Sequence, residues 1–221
     1  DAPKMKSYET LRLLSLLKES GSITTPRDKK ELSYFETAAQ KLKHNFDSIS
    51  ETEYVMSHGD FALFNILFNG DEIASINDFD NVAYFPRVHD MAEFLVSACI
   101  VHYLGPISNL RHPVFLKPNM NVLAQIIAFY SQNFSLSENS KRLLAIVADI
   151  VWLEILVLAV LKEDYTIADI VKAVKKLDKG MLRTAICNEF KRRKKILYIW
   201  DFHGTLETGT LYVLTEIANT L

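Results

Sequence analysis

Apolar residues recur every three to four positions along most of this chain, a period that predicts a mainly helical protein. Leu11, Leu14 and Leu17, reinforced by Leu13 and Leu16, form a helical stripe that stops near Gly21. Thr25 followed by Pro26 has the form of an N-cap and a first helical residue. Leu32, Phe35, Ala39 and Leu42 then carry the period through a second helix over 26–45. Beyond Pro86 the period returns and predicts helices over 88–102, 119–133, 137–162, 165–178 and 181–194, with Ser135 and Glu138 as a capping-box pattern before the longest.

Between the two helical regions the pattern shortens. Tyr54-Val55-Met56 is a short apolar run, and Asn65–Phe68 and Glu72–Ile76 flank Asn69-Gly70, the signal of a β-hairpin. After the basic run Lys191–Lys195, Ile196-Leu197-Tyr198-Ile199-Trp200 reads as a buried strand, which places a domain boundary near residue 194. The expected class is therefore mainly α with a small β-hairpin (α+β), in domains 1–194 and 195–221. Seven glycines in 221 residues agree with a helical chain.

The apolar run Leu143–Leu161 has the length of a membrane span, but Asp149 and Glu154 interrupt it and each is costly in lipid. A buried core helix is the expectation, with no membrane span. Cys99 and Cys187 are the only cysteines, so a disulfide framework is excluded and a reducing, cytoplasmic setting is expected. A formal charge of −2 argues against bulk nucleic-acid binding, and Trp152 and Trp200 form no stacking pattern.

Charge is nonetheless uneven. From Glu51 to Glu93 nine acids face one base, Arg87, while from Lys172 to Lys195 ten bases face Asp178 and Glu189. The basic segment reads most simply as a solvated helical face, with an anion or partner site as the sharper alternative.

The acidic segment carries the candidate chemistry. In Ser57-His58-Gly59-Asp60-Phe61-Ala62-Leu63-Phe64-Asn65, an Asp and an Asn five residues apart can reach around one loop toward a common centre. Asp78, on the far arm of the hairpin in Ile76-Asn77-Asp78-Phe79-Asp80, can return to that centre. Two carboxylates and an amide oxygen are hard ligands suited to Mg²⁺, which keeps waters and leans on substrate phosphates. Phosphoryl transfer needs that arrangement: a base for the acceptor hydroxyl and metal between β- and γ-phosphates. Singly, each residue reads as turn chemistry.

His58-Gly59-Asp60 with Asn65, Asp78-Phe79-Asp80 and then Asp90-Met91-Ala92 resembles the catalytic segment of aminoglycoside phosphotransferase and choline kinase-like enzymes. The resemblance covers roughly residues 5–190 and implies the C-terminal lobe of a protein kinase-like fold, with Mg and ATP as cofactors. By it, Asp60 is the catalytic base or orients the acceptor hydroxyl, and His58 braces the catalytic loop. Asn65 and Asp78 hold Mg²⁺, Asp80 approaches the metal or orders its loop, and Asp90 is a structural acid. The partners it implies are a nucleotide and a small-molecule substrate: an amino sugar, choline, a sugar or a nucleoside.

The sequence departs from that family ahead of His58. A five-stranded ATP lobe with its Lys and Glu needs roughly 45 residues or more, and residues 1–57 read as two helices without a Gly-rich loop. The expectation is a fragment of a longer kinase or a non-catalytic, kinase-like binding module. The end of the chain, Ile196–Trp200 with Asp201-Phe202-His203-Gly204-Thr205-Leu206, resembles the first motif of haloacid dehalogenase-like phosphatases. That implies Asp201 as a nucleophile in a domain begun at about Lys195, although His203 stands where that family has a second Asp. A His/Asp metal-dependent phosphohydrolase site from His58, Asp60, Asp78, His89 and Asp90 is a weaker alternative, because His102 and His112 are poorly placed to complete it.

Overall fold

A computed structural model describes residues 8, 10–21, 23–49, 53–70, 72–104, 119–133, 136–162 and 165–191. The phosphatase-like motif with Asp201 and Thr205, the strand expected over 196–200 and the domain boundary near 194 lie outside the described residues. Seven helices run in chain order: α1 (Thr10–Glu19), α2 (Pro26–Asp47), α3 (His89–Leu104), α4 (Met120–Asn133), α5 (Glu138–Leu161), α6 (Ile167–Asp178) and α7 (Met181–Lys191). Four short strands lie between α2 and α3: β1 (Tyr54–Ser57), β2 (Ile66–Asn69), β3 (Glu72–Ile76) and β4 (Ala83–Pro86). The molecule is mainly helical with small antiparallel sheets, as the periodicity predicts.

Local signals start the helices where the sequence places them. Thr25 Oγ1 accepts the Asp28 main-chain N–H at 3.1 Å and Asp28 Oδ2 accepts that of Thr25 at 2.9 Å, a reciprocal cap with Pro26 in the first turn. Thr166 and Asp169 repeat the device at α6. The expected Ser135–Glu138 box is not what caps α5: the helix begins at Glu138, and Ser137 accepts the Ser140 N–H at 3.0 Å. Ser137 wins because it is the residue directly ahead of the first helical position, where an N-cap must sit.

α5 is the axis of the core. Every residue from Leu143 to Leu153 is buried, so the helix is covered on all sides rather than amphipathic. It packs against α1, α2, α3, α6 and α7. Among the described residues it is also the helix long and apolar enough to cross a bilayer, and 83% of that stretch is buried within the protein. Of the two acids that interrupt it, Glu154 accepts a 2.8 Å hydrogen bond from Thr10 Oγ1, which fastens α1. Asp149 is fully buried beside α7.

Two two-stranded sheets complete the fold. β1 pairs antiparallel with β4, Tyr54 opposite Pro86 and Ser57 opposite Ala83. β2 pairs with β3 through the Asn69-Gly70 turn, with an irregularity between Leu67 and Phe68. The hairpin is the expected one, except that Asn65 belongs to a 3-10 turn (Leu63–Asn65) ahead of it. β4 has no counterpart among the expected strands: four residues ending in Pro carry too little alternation to register.

Burial pushes the Asp149 carboxyl up to about 7, against the smaller opposing pull of the Arg183 charge and main-chain N–H. The native state therefore holds this proton more tightly than the unfolded chain, whose Asp titrates near 3.9. Stability from this group is complete below about pH 4 and is lost as pH rises through about 7. Asp149→Asn should leave Tm almost unchanged at pH 4 and raise it by roughly 5 °C at pH 8, as read by thermal denaturation at both pH values.

Candidate functional site

The candidate site is the loop between β1 and β2 together with the segment joining β3 to β4. Its first fixed point is Asp90, in the first turn of α3, where a carboxylate is favoured by the exposed N–H groups of the helix end. Asp90 Oδ2 accepts the His58 main-chain N–H at 2.9 Å and Oδ1 accepts that of Gly59 at 3.1 Å. Both oxygens of one acid thus hold two consecutive amides, a pair of charge-assisted bonds.

Gly59 lets the chain fit beneath its neighbours. Its φ is +79°, and a Cβ there would collide with the Asn81 carbonyl oxygen and come within 2.9 Å of Phe85 Cε2. The His-Gly-Asp order therefore has a steric reason: only glycine lets the loop pass under the Asn81 carbonyl while its amide reaches Asp90.

His58 is buried, with Nε2 2.9 Å from the Asn77 carbonyl. A carbonyl only accepts, so Nε2 carries the proton and donates. Nδ1 is buried with no hydrogen-bond partner among the described residues. The ring lies 4.6 Å from that of Phe79 and 5.7 Å from that of Phe61. This is the geometry of a brace between the loop and the Asp78 segment, the part the resemblance implies for it.

Asn65 is the second tie. Its Nδ2 donates to the Asp60 carbonyl at 2.9 Å, and its own carbonyl accepts the Asn77 N–H at 2.8 Å. Because the amide nitrogen is committed, Oδ1 is the atom left for a cation. The Leu63 N–H donates to Ser97 Oγ of α3 at 3.1 Å, docking the turn that presents Asn65. Asp60 is half-buried at the loop's bend.

Asp78 follows directly on Asn77, with φ 66° and ψ 60°. Among the described residues it alone combines a side chain with positive φ. Left-handed backbone costs a non-glycine residue roughly 1–2 kcal/mol, and such strain concentrates at functional sites. The Asp78 and Asp80 side chains are exposed. Asp60, Asn65 and Asp78 are thus joined within one hydrogen-bonded loop cluster, by the Asn65–Asp60 and Asn65–Asn77 bonds.

The described side chains include no group of three His, Cys, Asp or Glu that could hold a metal. That removes the support for the His/Asp phosphohydrolase alternative: His58 is committed to Asn77, and His89 stacks on Phe85 at 3.8 Å with Tyr8 OH 3.4 Å from Nδ1. The Asn65 amide oxygen and the exposed Asp78 carboxylate are hard oxygens of the type suited to an ion that keeps waters and takes the rest of its shell from a phosphate.

Two parts of the site were not singled out from the sequence. The Asn77 main chain receives both His58 and Asn65, and Ser97 holds the turn from α3. Backbone acceptors leave no residue-type signature, and a helix serine eight positions past His89 reads as ordinary. The segment that carries the site is also rich in exposed apolar residues. Met56, Phe64, Leu67, Phe68, Phe79 and Val82 are exposed, so six of the ten exposed large apolar residues described fall within 56–82.

Gly59→Ala should cost at least about 2 kcal/mol, from left-handed strain together with the displaced Asn81 carbonyl. Asp90→Asn should cost about 2 kcal/mol, because an amide cannot accept at both positions. Urea denaturation measures both; a cost under about 0.5 kcal/mol for either would refute the clamp. In comparisons with family models, with curated proteins and with solved structures, nothing matches this chain.

Proposed function

We propose that residues 8–191 are the catalytic lobe of an ATP- and Mg²⁺-dependent phosphotransferase acting on a small-molecule hydroxyl. The observation that carries the reading is the loop cluster: Asp60 and Asn65 share a bond, and Asn65 is tied through Asn77 to the strained Asp78. In that reading Asn65 Oδ1 and the Asp78 carboxylate would hold Mg²⁺, which supplies charge neutralisation between the transferring phosphates. Asp60 accepts the proton of the acceptor hydroxyl, or a hydrogen bond that aims it. His58 and Asp90 keep the loop in place without touching substrate. Asp80 orders the turn after Asp78 or adds a further oxygen.

The exposed apolar face over 56–82 supports the same reading, since a nucleotide-binding lobe would cover it. The acidic balance of 51–93 favours a cationic acceptor, an amino sugar or choline, over a neutral sugar or nucleoside. Asp201 is proposed as the nucleophile of an attached phosphatase-like domain. The second reading is a kinase-like binding module without turnover; the described residues ahead of β1 form α1 and α2 rather than a nucleotide-binding sheet, which favours it.

ADP release from the full-length protein with aminoglycosides, choline, sugars and nucleosides separates the two. Asp60→Asn should lower kcat by roughly 10²–10⁴-fold with Tm unchanged, and Asp78→Ala should abolish Mg²⁺-dependent nucleotide affinity in calorimetry. Full turnover in Asp60→Asn would overturn the catalytic assignment, and absence of MgATP binding in the wild type would establish the binding module.

A further inference from the structure

A second feature lies outside the loop cluster, where the C-terminal half of α2 meets α6 and α7. A cavity of about 150 Å³ opens there, with Lys41, His44, Asn45, Asp178 and Arg183 around it and an apolar floor that includes Leu177. None of these residues belongs to the candidate site.

Arg183 is held in place on two sides. Gly180, between α6 and α7, has φ +68°, and a Cβ there would lie 2.7 Å from Arg183 Nη2 and 3.2 Å from Nε. The guanidinium is thus folded back over the glycine, an arrangement a side chain at 180 would block. On the core side, the Arg183 charge lies near buried Asp149. No carboxylate of the described residues sits within ion-pair distance of the guanidinium. A fixed arginine fork, with its donors not consumed by a carboxylate, therefore lines the cavity.

Lys41 comes from the opposing helix, its Nζ fixed 2.6 Å from Asp178 Oδ1. That carboxylate also lines the cavity, so one positive charge there is offset. Arg183 remains, and Lys172, Lys175, Lys176 and Lys179 around α6 raise the surrounding potential.

We propose that this cavity binds the phosphate group of a small ligand, with Arg183 as the principal donor and Lys41, already beside Asp178, as a secondary donor from α2. A guanidinium fork among the lining residues of a small cavity suits a tetrahedral oxyanion, which accepts hydrogen bonds in more than one direction. The volume admits a phosphate group with a few further atoms, so free phosphate and a phosphomonoester are the two sources.

The test is a ¹H–¹⁵N titration of the full chain with inorganic phosphate and, separately, with glycerol phosphate, at fixed ionic strength and with chloride as the control. Saturable shifts are expected in residues 41–45 and 177–184, and the tighter of the two titrants identifies the source. Lys41→Gln should weaken binding by roughly threefold and Arg183→Lys, which keeps the charge but loses the fork, by about tenfold. Lys41 is exposed, so its variant keeps the fold. Shifts no larger than those with chloride, or equal affinity in the wild type and both variants, would overturn the site.

Discussion

Asp90 is where the helical core takes hold of the chemistry. A carboxylate at a helix N-terminus is already favoured by the exposed amides of the first turn. Spending its two oxygens on His58 and Gly59 links the loop to α3. The buried residues around it, Val88, His89, Met91 and Ala92, leave α3 no freedom to drift from the core. A loop of short strands and turns, which would be marginal alone, therefore inherits the rigidity of the bundle. The Asn65 and His58 bonds then extend that rigidity by one more step, to the β3–β4 connection.

The helices were legible in the sequence because burial by a central helix imposes a period on everything packed around it. Thr25-Pro26 could be read because its cap is local, completed within three residues; the Thr166 box is equally local but was not singled out. Ser137 shows the limit of such signals: Ser135 and Ser137 both stand ahead of α5, and only the position where the helix starts decides between them. β4 was not legible, because its pairing with β1 spans 26 or more positions and its four residues alternate too briefly.

The site was legible as a list of residues and much less so as a set of bonds. Asp60, Asn65, Asp78 and Asp90 stand out by type and spacing. What joins them is largely main chain: the carbonyls of Asp60 and Asn77, the amides of His58, Gly59 and Asn77. Every residue carries those groups, so no sequence pattern marks them. The same reasoning explains the left-handed backbone of Asp78, which its identity permits but does not demand.

The two charged regions of the chain differ in how their charges are used. In the acidic segment Asp90 is committed to structure by two amide bonds, whereas Asp78 and Asp80 remain exposed beside an uncovered apolar face. Acids exposed next to bare phenylalanines are poor as a stabilising surface, since the apolar area gains nothing from water and the carboxylates gain no partner. In the proposed reading, a nucleotide-bearing lobe and its metal would relieve both at once. In the basic segment the charges are engaged: Asp178 pairs with Lys41 of α2, and the Arg183 guanidinium packs over Gly180.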